Sequence, residues 1–271
     1  MKKSFVRLWK RNLAFFKLAI LSQLEYRVNY FVDAIVQPSI TSCIEMLLWI
    51  SLFSTGVQTI GGFSKTEYLS YVIWASFIAR ITVSWMYEFK MLEEIESGSI
   101  NSILVRPMSF FEYYLSQLLG YKAITTFISL LVPISVVLIF DLPTDFKKLP
   151  LVILLALYYL IFIHCLGFFI STFAFYLTKI HSFIVAKNLA LWLLSGELIP
   201  LDLAPEPYRT WLYNLPFANA VYIPAGYLAG RVDEKLLFHG FTTVTYSIAI
   251  MLVINHFAWR LGIRKYVGTG A

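Results

Sequence analysis

Apolar positions in this chain come in long blocks, not in the short alternating or amphipathic runs of a soluble core. Six windows stand out: Tyr30–Phe53, Tyr68–Phe89, Tyr113–Phe140, Leu151–Leu177, Phe183–Ile199 and Leu236–Trp259. A helix needs about 20 mostly apolar residues to cross about 30 Å of hydrocarbon. Lipid leaves no water for unpaired backbone groups, so each block is expected to be helical. The fifth window is the shortest. Ahead of the first, residues 1–24 interleave Lys2, Lys3, Arg7, Lys10, Arg11 and Lys17 with Phe5, Leu8, Trp9, Leu13, Phe16 and Ile20 at near-helical spacing. That pattern predicts an amphipathic helix at the membrane surface, cations toward anionic head groups. The expected fold class is therefore all-α: one polytopic membrane domain over residues 1–271, with six transmembrane helices and an N-terminal interfacial helix.

Composition agrees. The chain is 59% hydrophobic and 14% charged, against roughly 25% charged in a soluble domain. Its net charge of +6 does not point to nucleic acid, because the cations gather before the first span and, as Arg260, Arg264 and Lys265, after the last. This is the positive-inside distribution, and it places both termini in the cytoplasm. Cys43 and Cys165 both fall within predicted spans, so neither a disulfide framework nor a cysteine-ligated metal is expected. No cleaved signal peptide is visible at the start.

Several charges interrupt the apolar windows: Asp33 and Glu45 in the first, Arg80 and Glu88 in the second, and Glu112 and Lys122 at and within the third. Charge at depth is expensive and turns toward protein or water. Pairing of Asp33 or Glu45 with Arg80 is the expected arrangement; a polar path or subunit seam is the functional alternative. His164, alone in the fourth window, is expected to be a hydrogen-bonded packing residue.

Two connecting segments carry more pattern than a linker needs. Residues 91–107 place Met91, Leu92, Ile95, Ile100, Ile103 and Leu104 on one side of a short helix broken near Gly98, with Glu93, Glu94 and Glu96 as an acidic patch and Pro107 leading to the third span. Acidic residues serve neither topology nor anionic lipid, so this loop is expected to dock a soluble partner. Residues 196–231 are too apolar for an exposed loop, yet Pro200, Pro205, Pro207, Pro216 and Pro224 forbid one continuous helix. Two short re-entrant helices, 206–215 and 218–229, are expected, with Trp211, Tyr213, Tyr222 and Tyr227 at the boundary with water.

Catalytic signatures are missing. The sequence contains no G-x-x-x-x-G-K-[ST] phosphate loop, no H-E-x-x-H and no G-x-S-x-G. The four histidines are scattered, so neither catalytic nor metal-ligating residues are expected.

The order of these features resembles the permease subunits of ABC-2-type exporters, in particular a family with a separate ATPase and often a second companion permease. The likeness rests on the basic start, the spans, the loop from Glu94 to Pro107 with its Glu-Ser-Gly-Ser-Ile core, and Gly196-Glu-Leu-Ile-Pro200 with the proline-rich stretch that follows. The resemblance implies a bacterial cytoplasmic membrane, two permease chains (identical or homologous) around a seam, and an ABC ATPase dimer beneath them. That dimer would bind ATP and Mg; this chain would bind no cofactor of its own. Glu94, Glu96, Ile100 and Arg106 would form the coupling surface to the ATPase. Glu197, Pro200, Trp211 and Tyr222 would form the outer gate. The competing readings are a gradient-driven secondary transporter, for which no convincing internal repeat is found, and a non-transporting scaffold. The transported substrate is not written in the sequence.

Overall fold

A computed structural model describes residues 2–25, 27–106, 108–177 and 180–266. It is a helical bundle. Helix α1 (Lys2–Glu25) is followed by α2 (Arg27–Phe31), a π-helical turn over Val32–Val36, and α3 (Gln37–Ser54). The widened turn comes just before Pro38, which has no N–H and whose ring crowds the preceding turn; Gln37 N–H reaches back to the Val32 carbonyl instead. A two-residue antiparallel hairpin, β1 (Thr59–Ile60) and β2 (Phe63–Ser64), leads to α4 (Lys65–Thr82). A reciprocal cap starts α4: Ser64 Oγ accepts from Glu67 N, and Glu67 Oε2 accepts from Ser64 N at 2.8 Å.

At Val83 the backbone turns extended and α4 gives way to α5 (Trp85–Glu96). The chain then folds through α6 (Asn101–Leu104) into α7 (Phe110–Ser129) and α8 (Leu131–Ile139). These two helices form one bent stretch, broken at Leu130 by Pro133, whose ring excludes the regular bond to the Ser129 carbonyl. Helix α9 (Leu149–Thr172) returns, and α10 (His181–Leu194) starts back again. After the proline-rich segment with α11 (Tyr208–Tyr213) and α12 (Tyr222–Leu228), α13 (Glu234–Lys265) closes the bundle. Asp233 caps its start and Arg264 and Lys265 complement its C-terminal dipole.

Among the described residues, five stretches are long and apolar enough to cross a membrane: Val32–Ser54, Lys65–Glu96, Phe110–Ile139, Phe146–Phe175 and Glu234–Lys265. The expected fifth span, Phe183–Ile199, differs. Its helix has 14 residues, about 21 Å at 1.5 Å per residue. Gly196 stops it by taking φ +83°, the left-handed conformation that glycine adopts without a Cβ penalty. The expected 206–215 and 218–229 helices appear in shorter form, as α11 and as a 3₁₀ turn (Pro216–Asn219) leading into α12.

Helices α4 and α9 form the buried centre, packed through Tyr68, Trp74, Leu155, Tyr159 and Ile163. Helix α1 lies along α7, close enough that a Cβ on Gly120 would come within 2.8 Å of the Ala19 Cβ. Arg11 pairs with Glu112 there. The β-hairpin, residues 141–146 and the proline-rich segment share one end of the bundle. Asp145 N bonds the Leu228 carbonyl at 3.3 Å, and Arg231 bonds both the Gly61 carbonyl and Asp202 at 3.0 Å. The α5–α6 elbow lies at the other end, where Tyr266 reaches the Gly98 carbonyl.

Candidate functional site

The elbow is built by a left-handed glycine. Gly98 adopts φ +78°, which lets Ile100 N bond the Glu94 carbonyl at 2.9 Å and reverses the chain between α5 and α6. The apolar face foreseen for this segment exists, but it points inward. Met91, Leu92 and Ile100 are fully buried, and Ile95 and Ile103 nearly so. Ile100, expected to meet a partner, instead plugs the elbow into its own bundle. The reason is that Phe110, Tyr114 and neighbouring residues already supply an apolar bed for it. The exposed surface consists of Glu93, Glu96, Ser97, Ser99, Asn101, Ser102, Leu104, Val105 and Arg106. Val105 is 83% exposed. Glu94 is half-buried, with one carboxylate oxygen lacking a hydrogen-bond partner. Pro107 lies outside the described residues.

From the elbow, α5 runs up to a buried ion pair. Lys187 on α10 places Nζ 2.6 Å from both carboxylate oxygens of Glu88 on α5. Ser84 Oγ donates to the same carboxylate at 2.6 Å. Gly167 on α9 makes the room: a Cβ there would stand 2.5 Å from the Glu88 Cγ. Neither Lys187 nor Gly167 stands out in the sequence as part of such a constellation. Its available signal was a carboxyl and an amine near the ends of two apolar windows.

Above the pair lies a cavity of about 520 Å³ between α4, α5, α9, α10 and the segment before α12. Trp85, Phe89, Tyr159 and Trp192 provide aromatic wall; Ser84, Asn188, Ser195 and Glu197 provide polar groups. At its far end the chain turns on a stitched joint. The Ser195 carbonyl accepts from Tyr222 N at 2.8 Å, and the Gly196 carbonyl accepts from the Tyr71 hydroxyl at 2.6 Å. A Cβ on Gly196 would fall 2.7 Å from the Tyr222 Cβ.

The four expected gate residues therefore do not form one cluster. Glu197 lines the cavity. Pro200 is buried in the turn after it. Tyr222 is buried beneath that turn, stacked on Tyr213 at 5.4 Å with the hydroxyls 2.9 Å apart. Trp211 stands apart on α11, 58% exposed. Beside it, bonds from Thr210 and then Arg209 hold the Glu206 carboxyl below the usual range.

Of the remaining internal charges, Asp33 and Arg80 pair as expected. Arg80 binds Asp33, which also accepts from the Tyr121 hydroxyl. Lys122 donates to the Arg80 carbonyl at 2.6 Å. Glu45 accepts from Ser76 instead of pairing with a cation. The His164 Nε2 bonds the Phe111 carbonyl at 3.0 Å, the packing role foreseen for it.

Residues 40–270 match the family described as ABC-2 family transporter protein. The chain belongs to that family: it is a multi-pass membrane permease of the ABC transporter type, whose members generally work with an ABC ATPase. No curated protein matches it.

Proposed function

We propose that this chain is the translocation subunit of an ATP-driven exporter in the bacterial cytoplasmic membrane. Both termini and the α5–α6 elbow would face the cytoplasm. Two permease chains, identical or homologous, would meet at a seam that includes the exposed apolar face of α10, where Phe183, Leu189 and Leu193 stand. A pair of ABC ATPase subunits would bind ATP and Mg and sit against Glu93, Glu96, Val105 and Arg106, with Glu94 orienting the contact. Ile100 would hold the elbow rigid from inside.

The observation that carries this reading is the Glu88–Lys187 pair. It ties the helix that leaves the elbow to the short helix that walls the cavity. A push on α5 would move α10 through two desolvated charges that are costly to separate, and the Gly196 turn would let the far end of α10 rearrange with Glu197, Pro200 and Tyr222. This is rigid-body switching with its input at the elbow and its output at the gate.

Purification of the tagged protein from its native membrane in mild detergent tests the reading. Recovery of a phosphate-loop ATPase is expected. Recovery of the folded permease without any ATPase, together with proton-dependent flux, would replace it with a gradient-driven carrier.

A further inference from the structure

We propose that the cavity beside α10 selects a lipophilic organic monocation. This goes one step past the exporter reading and rests on it, by giving that site a cargo class.

Three observations carry it. First, among the described residues Glu197 is the only charged residue in the cavity wall, and it has no ion-pair partner. The nearest strong cation on α10, Lys187, is already neutralised by Glu88. The cavity therefore holds a carboxyl with no counter-charge beside it. Second, the walls are aromatic, and two of the rings face open space: Trp85 is 52% and Trp192 45% exposed. Tryptophan is the best ring partner for a cation. Third, the Tyr159 hydroxyl is buried in the wall without a hydrogen-bond partner, leaving one polar contact unused. A volume of about 520 Å³ lies in the range of pockets for drug-sized molecules. An anion would meet Glu197 unfavourably. A neutral lipid chain would leave that carboxyl without a partner. A bulky apolar cation satisfies both the carboxyl and the rings.

The test uses the full chain in phosphatidylcholine nanodiscs and two probes of similar shape and opposite charge, tetraphenylphosphonium and tetraphenylborate, with binding followed by equilibrium dialysis. Saturable binding of the cation, and only non-saturable partition of the anion, is expected. Glu197→Gln should weaken cation binding roughly tenfold or more. Glu197→Asp, which keeps the charge, should retain it within a few fold. Trp192→Ala, at a side chain 45% exposed, should weaken it several-fold. Equal behaviour of the two ions, or unchanged cation binding in Glu197→Gln, would overturn the proposal. The two readings fail separately. ATPase recovery without cation binding would leave the exporter standing and remove this cargo class. Glu197-dependent cation binding without an ATPase would do the reverse.

Discussion

Lys187 and Glu88 form a two-pronged ion pair between α10 and α5, with both carboxylate oxygens 2.6 Å from the ammonium and side chains only 8% and 1% exposed. Removing one partner leaves a buried charge alone, which costs about 3–5 kcal/mol. Glu88→Gln and Lys187→Met should each lower thermal stability strongly. The double variant should lose far less than the sum, and its thermal unfolding in detergent would show this directly. Additive losses would mean that the two charges do not depend on each other.

Gly167 sets the approach of α9 to that pair. Gly167→Ala places a methyl 2.5 Å from the Glu88 Cγ, and the Glu88 side chain, held by Lys187 and Ser84, must shift to accept it. Overpacking of this kind costs about 1–3 kcal/mol. A lowered unfolding temperature is expected, where alanine in a helix would otherwise be favourable.

The elbow separates folding from docking. Ile100→Asp buries an unpaired carboxylate and should cost several kcal/mol, seen as poor yield and early unfolding. Val105→Asp, at a side chain 83% exposed, should leave stability within about 0.5 kcal/mol. It should nevertheless weaken ATPase co-purification. If Val105→Asp retained the ATPase fully, the docking surface would lie elsewhere.

The Gly196 turn makes a sharper prediction at the opposite end of α10. Tyr71→Phe removes the 2.6 Å bond to the Gly196 carbonyl and should cost about 1 kcal/mol. Gly196→Ala should cost more, because it adds a Cβ to a backbone at φ +83° and within 2.7 Å of the Tyr222 Cβ. Paired unfolding curves for the two variants check the order.

Much of this architecture was legible in the sequence, and the misses have identifiable causes. Apolar blocks located five full-length stretches because lipid demands the same 20 residues of each. The fifth window ran too far because its composition stays apolar through Leu198 and Ile199; the glycine stop at Gly196 was present but outweighed. Pro38 and Pro133 mark breaks that chemistry foretells. The Val83–Ser84 break, where Val83 turns extended, has no proline or glycine to announce it. Periodicity identified the apolar face of residues 91–104 but not its direction, since a face turned to its own bundle and one turned to a partner read alike. Asp33 and Arg80 were matched because few charges compete at depth. Glu88 and Lys187 were not, because each sits near a window end where a surface location explains a charge equally well.

The most direct measurement is site-specific cross-linking from the elbow in the native membrane. A photoreactive amino acid in place of Val105 should capture an ABC ATPase subunit, identified by mass spectrometry, and the yield should change when ATP is trapped on the complex. Cross-links only to lipid or to another copy of this chain, with the protein folded, would contradict the account.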